Sequence, residues 1–333
     1  MHKNKYLIIC TLIACVLLFF IGVTSIEKEG PSVNRSQYSD HLGLGEVDVP
    51  EGVSTYGIFV SQDETKDMDG KSILLNDISK PLFITCNHKG EKSEISISLY
   101  YNFIQIPFKI NKSEKSIYTY KTIINDNEEI RLPIYLENIK KDALIHKLLI
   151  SVTTDTDVHN TPREYLTNNS VLTHVCEIKY CKDSKELFTL PIKASVAQKK
   201  YVCEGVVPLV LNTDYENNRL KQEKIPELPL STYKVSKNDQ FEMMYNITGM
   251  EGVSSALLII SVGDKQAKID GENYKFFDIK EGETINGKIN VLSPEEPGSY
   301  EVIGYVVFNP NDLVEQLQGL RIETSFRFTM EVV

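Results

Sequence analysis

The sequence predicts an all-β protein: tandem antiparallel β-sandwich domains behind a single N-terminal transmembrane helix. Three observations predict it. One uninterrupted apolar run lies near the N-terminus, most of the remaining text alternates apolar and polar residues with a period of two, and turn signals separate the alternating runs. At 333 residues with 41% apolar and 25% charged side chains, the composition is that of a globular chain long enough for two domains and a tether.

The apolar run is residues 6–23, YLIICTLIACVLLFFIGV, which carry no charge. As a helix it spans about 27 Å, close to the ~30 Å hydrocarbon core of a bilayer. Lys3 and Lys5 precede it, and Glu27 and Glu29 follow. The positive-inside rule therefore places the N-terminus in the cytoplasm and residues 26–333 outside, with the membrane as the partner of residues 6–23. Two processing alternatives deliver the same ectodomain to the same side. Val23, Thr24 and Ser25 offer small residues to a signal peptidase. Leu12, Ile13, Ala14 and Cys15 match a lipobox, although eight apolar residues follow Cys15 where a lipoprotein continues into a polar tether.

Residues 1–25 are accordingly read as anchor or signal segment, and 26–50, rich in Gly, Ser, Asp and Pro, as an extended spacer. A first sandwich is expected over 51–200. Within it Ile95, Ile97, Leu99, Tyr101 and Phe103 alternate with polar residues, as do Ile130, Leu132, Ile134 and Leu136, and then Leu148, Ile150 and Val152. Further strand-like runs are 54–61, 81–87, 116–124 and 173–180. Residues 201–235 turn polar and Pro-punctuated, which marks a linker, although two more strand-like runs, 187–196 and 201–211, flank its start. A second sandwich is expected over 236–333, from runs at 241–247, 256–262, 265–270, 274–279, 285–292, 300–308 and 322–333. In the last run Phe326, Phe328, Met330 and Val332 are expected on one face.

The two series match in order. NFIQIPFKI, YKTIIND, EEIRLPIYLE and HKLLISVTT correspond to DKQAKID, YKFFDIK, ETINGKINVLS and YEVIGYVVFNP, an internal repeat with a period of about 155–160 residues. The PGSYEV segment, residues 297–302, is a turn followed by a strand with an inward aromatic. It resembles the late strands of bacterial immunoglobulin-like surface domains, over the second series and more loosely over the first. The resemblance implies immunoglobulin-like sandwiches and no catalytic motif. Thirty Lys against six Arg in an Ile- and Asn-rich text also reads as the coding bias of an AT-rich bacterium.

Four cysteines lie beyond the apolar run. Cys86, Cys176, Cys181 and Cys203 permit two disulfides in three connectivities, or remain reduced and buried. The formal charge of −10 repels phosphate polymers and excludes nucleic acid as a partner. No nucleophile elbow, HExxH, phosphate loop or paired CxxC occurs, so neither a cofactor nor a catalytic residue is assigned. No metal is assigned either. Asp67-Met68-Asp69-Gly70 lacks the Glu that closes a calcium loop, and strand alternation separates Cys181 from His174 and Cys176.

The residues singled out for binding sit in the long polar connection 153–170, where Asp155, Asp157, His159 and Asn160 could converge on a polar ligand. The matched connection in the second repeat is 309–320. The bland reading is a solvated connector. The expected function is a membrane-anchored extracytoplasmic binding or structural protein that presents loops of two β-sandwich domains to an envelope protein partner. The alternative is an extracytoplasmic hydrolase of cell-wall or glycan material, whose carboxylate pair would meet only in the fold.

Overall fold

The computed structural model describes residues 33–37, 54–62, 72–75, 77, 79–142, 144–156, 171–190, 195, 197, 199–202, 208–211, 232–314 and 320–333. The apolar run 6–23, residues 63–70, Asp157, His159, Asn160 and Cys203 lie outside them. Asn34–Val333 form one compact unit, to which every described strand belongs.

Every described element is a strand. The first twelve are β1 (Asn34–Gln37), β2 (Thr55–Ser61), β3 (Ser72–Leu74), β4 (Leu82–Lys89), β5 (Ser93–Tyr101), β6 (Ile104–Gln105), β7 (Phe108–Lys109), β8 (Thr119–Ile124), β9 (Glu128–Leu136), β10 (Leu144–Thr154), β11 (Val171–Lys179) and β12 (Glu186–Leu187). They form two sheets, β1-β9-β4-β2 and β3-β11-β10-β5-β6, with β7 on β9, β8 on β5 and β12 on β10. The alternation read in the sequence becomes their core: Ile95, Ile97, Leu99, Ile130, Leu132, Ile134, Leu148 and Ile150 are all buried. Pro133 sits inside β9 at no cost in pairing on its outer side, because β1 begins opposite Arg131 and β7 ends opposite Tyr135.

The remaining strands are β13 (Lys199–Val202), β14 (Leu209–Leu211), β15 (Thr232–Val235), β16 (Gln240–Thr248), β17 (Ser255–Val262), β18 (Lys265–Gln266), β19 (Lys275–Asp278), β20 (Glu283–Leu292), β21 (Gly298–Phe308), β22 (Arg321–Thr324) and β23 (Phe328–Val332). Their sheets are β13-β20-β16-β14 and β15-β23-β21-β17-β18, with β19 on β17 and β22 on β21. Apart from β7 and β12, which have no counterpart strand, and β11, whose place is shared by β22 and β23, this is the pairing of the first group. The segments matched in sequence occupy matched strands, β6 with β18, β8 with β19, β9 with β20 and β10 with β21. The backbone turns left-handed at matched places too: Asn102 (φ 48°) and Gly263 (φ 58°), Asn127 (56°) and Gly282 (70°), Asp155 (49°) and Asn309 (47°).

Three expectations need correction. Part of the stretch read as a linker belongs to the second sandwich: β13 pairs with β20, β14 with β16 and β15 with β23. These strands are three or four residues long, too short to show a period. Part of the spacer, β1, likewise pairs with β9. The run 322–333 is not one alternating strand. Tyr305 pairs with Thr324 but Val302 pairs with Phe328, so three steps along β21 match four along its partner. That β-bulge resets the facing. Phe326 is 62% exposed, while Phe328, Met330 and Val332 enter the core. Ser325, inside the bulge, holds Gly304 through both its backbone N–H and its hydroxyl, each at 2.9 Å. Gly304 takes the place of Ile150 because Leu211 Cδ1 and Leu209 Cδ2 from β14 already fill the space; a Cβ there would lie 2.7 and 3.0 Å from them.

Candidate functional site

β10, β17 and β21 are buried along nearly their whole lengths, on both faces. Ala256, Leu258 and Ile260 point into their own core. Leu257 and Ile259 between them meet Tyr100, Phe103 and Leu149 of the first sandwich, together with Phe276, Ile303, Tyr305 and Val307. The two inner sheets therefore pack face to face, giving four layers around three apolar seams. Each fully buried Leu, Ile or Phe contributes about 1.5–3 kcal/mol relative to exposure, so the middle seam is a core and not a wet contact.

Polar groups fix the register of that seam. Gln105 and Gln266, matched between the repeats, exchange bonds: Gln105 N–H donates to Gln266 Oε1 (2.7 Å) and Gln266 N–H to Gln105 Oε1 (2.6 Å). Their amides then reach matched carbonyls, Gln105 Nε2 to Asp264 O (2.9 Å) and Gln266 Nε2 to Phe103 O (3.1 Å). Ser151 and Tyr305, also matched, share a hydrogen bond of 2.9 Å. Such reciprocity is the mark of a two-fold relation, here between halves of one chain.

The same relation decides where the long connections go. Arg327, buried, donates from Nη1 to the Thr154 carbonyl and from Nη2 to the Asp155 carbonyl (3.1 Å), at the end of β10. Its Nε meets Glu301 Oε2 (3.3 Å), near the beginning of β21, and Thr329 Oγ1 donates to Glu301 Oε1 (2.8 Å). Reciprocally, Glu177, paired with Lys147 near the beginning of β10, accepts from Val314 N–H (3.0 Å) beyond the end of β21. β10 and β21 thus run in opposite directions, and their following connections leave from opposite ends of the pair. Lys147 Nζ is buried with no hydrogen-bond partner among the described residues. Burial lowers its pKa to about 8, against the pull of Glu177 and Asp312.

Of the four residues proposed to converge, only Asp155 is described. Its N–H donates to Ser93 Oγ (3.2 Å) and its carbonyl receives Arg327, so its backbone anchors the base of the connection. Cys86 and Cys176 are free thiols whose pKa burial pushes up to about 12, and Cys181, also free, lies 3.2 Å from Ser184 Oγ. Among the described residues no three His, Cys, Asp or Glu side chains are grouped to hold a metal ion, and no helix is long and apolar enough to cross a membrane.

Beside the middle seam an open cleft of about 610 Å³ runs between the end of β10 (Thr153, Thr156) and the beginning of β21 (Ser299, Tyr300, Glu301), walled also by Val262 and Leu292. Sequence reasoning missed it, because its walls come from five separate stretches of chain. Lys121 and Asp264 bridge the two sandwiches next to it at 3.1 Å.

The strand order of each half, β2-β4-β9 against β3-β11-β10-β5-β8 and its repeat, defines an immunoglobulin-like sandwich. No family model matches the chain, and no curated protein matches it. Among solved structures it is similar to the C-terminal domain of the Streptococcus agalactiae antigen I/II polypeptide BspA, at 8% identity and a TM-score of 0.21, over 84% of this chain and 100% of that one. It is similar to the E. coli chaperone DraB at 12% identity and TM-score 0.24, over 83% and 98%. A family 123 glycoside hydrolase from Clostridium perfringens shares 13% identity at TM-score 0.22 over 38% of this chain, which spans 27% of that enzyme. At these identities and TM-scores the likenesses say nothing of what this chain does.

Proposed function

We propose that this chain is an extracytoplasmic binding or structural protein, held at the membrane through residues 6–23, whose paired sandwiches present their long connections to an envelope protein. The observation that carries the reading is the grip on those connections. Each is held at its base by a buried charged side chain from the other sandwich, Arg327 on Thr154 and Asp155, and Glu177 on Val314. Loops fixed on a rigid frame are the usual carriers of recognition, since less ordering entropy is lost on binding. The apolar run and its flanking charges support the tether.

The test cross-links intact cells that carry the tagged full-length chain, beside a variant with residues 157–165 exchanged for Gly and Ser. Keeping Asp155 preserves the Arg327 contact and hence the frame. A specific envelope protein recovered with the parent chain and lost with the variant is the expected result. Equal recovery with both overturns the loop as the site.

A further inference from the structure

The two-fold relation between the sandwiches breaks down beside the beginning of β21, and the break exposes a site. In the first sandwich β5 ends in a turn at which Asn102 N–H reaches the Lys147 carbonyl (2.8 Å). Beyond that point the same edge of β10 is occupied by β12: Leu144 and Ile145 pair in parallel with Glu186 and Leu187, and Phe188 N–H donates to Ile145 O (2.8 Å). Phe188 stacks on His146 with ring centroids 5.4 Å apart, and Leu190 buries itself in the middle seam. Leu190 N–H also reaches Asn311 Oδ1 of the second sandwich (3.3 Å).

At the matched edge of the second sandwich, Gly263 N–H reaches the Glu301 carbonyl (2.7 Å), and there pairing stops. Ser299 stands where Ile145 does and is exposed. Its carbonyl, two residues before that of Glu301 and so turned to the same edge, receives no hydrogen bond among the described residues. Tyr300 stands where His146 does, half-buried, its hydroxyl turned aside to donate to Glu296 O (2.9 Å). Ile303 stands where Leu149 does. Ser299, Tyr300 and Ile303 are one wall of the 610 Å³ cleft. Among the described residues, the place filled in one half by a short extended segment is therefore open in the other, with an unpaired strand edge, an aromatic platform and an apolar floor.

We propose that this cleft binds an extended peptide segment of a partner protein, which adds a short parallel strand to β21 at residues 298 and 299. The segment sets an aromatic residue on Tyr300 and a branched aliphatic residue, two positions on, against Ile303. Main-chain pairing supplies the orientation, and the two side chains, which share a face of the added strand, supply selectivity. The site depends on neither the loops nor the tether, so it stands or falls separately from them.

The chain provides its own probe. A fluorescein-labelled peptide of residues 184–190, SKELFTL, is titrated with the purified full-length chain and followed by fluorescence polarisation. Saturable binding is expected, weakened at least about tenfold by Phe188→Ala in the peptide. Ser299→Trp in the chain, at an exposed wall, abolishes it while leaving the thermal midpoint in place. Should that variant fold poorly, Leu292→Arg on another exposed wall replaces it. No saturation up to about 1 mM peptide, or binding unchanged by both chain variants, overturns the proposal.

Discussion

Lys147 in β10 and Glu301 in β21 occupy matched places in the two sandwiches, both buried in the seam, with opposite charge. Glu301 has both carboxylate oxygens engaged, one by Arg327 and one by Thr329. Lys147 has neighbours of opposite sign in Glu177 and Asp312 but no hydrogen bond to its ammonium among the described residues. One buried charge is thus part of a network and the other is merely near compensation. The difference teaches that the backbone relation between the halves is two-fold while the charge pattern is not. Uncharged bonds, Gln105 with Gln266 and Ser151 with Tyr305, set the register.

The strongest way to break that comparison is Arg327→Ala. It leaves Glu301 buried without its guanidinium and frees the Thr154 and Asp155 carbonyls. Losing one member of a buried pair costs about 3–5 kcal/mol, to be read from the urea midpoint of the full chain.

Lys147→Met sharpens it from the other side. The folded chain holds the Lys147 proton with a pKa of about 8 against an ordinary 10.5. The unfolded chain therefore binds more protons between those values, and stability rises with pH across the window. Below pH 8 the full penalty applies, on the order of 3 kcal/mol. The Met variant should be the more stable at neutral pH, and its stability curve should lack the rise that the parent shows above pH 8. A parent curve that matches the variant across the window would show that Lys147 finds a partner the described residues do not reveal.

The smallest effect belongs to the register bonds. Gln105→Ala and Gln266→Ala should each cost about 1 kcal/mol, since each leaves its partner's backbone N–H without its acceptor. No loss of stability in either variant would mean that apolar packing alone sets the register.

Much of the fold was legible because most outer-sheet strands bury one face. Ile130, Leu132, Ile134 and Leu136 show a period of two, and so does β16. The matched order of segments was legible for the same reason. What the text concealed was the pairing of the sandwiches, since strands buried on both faces lose their alternation. The continuous run of β17, SALLIISV, and VIGYVVF within β21 carried that message, yet length and turns alone marked them as strands. Phe326 misled because a bulge of one residue leaves no trace in an alternating pattern. Of the site, Asp155 was picked out within a long polar connection. The side chains that hold its base, Arg327 and Glu301, lie far away in sequence and read as ordinary polar positions on strands.

The four-layer stack also ranks how the molecule opens. Amides of β10, β17 and β21 sit beneath two apolar seams each, while those of the outer sheets have one seam and solvent. Hydrogen exchange from these middle strands requires the two halves to part as well as a sandwich to loosen, so their deuterium uptake reports global unfolding. The outer strands β2 and β14 exchange through local fraying. Time in heavy water would thus sort the chain by layer and not by sequence, with the innermost strands of both repeats labelling last and together.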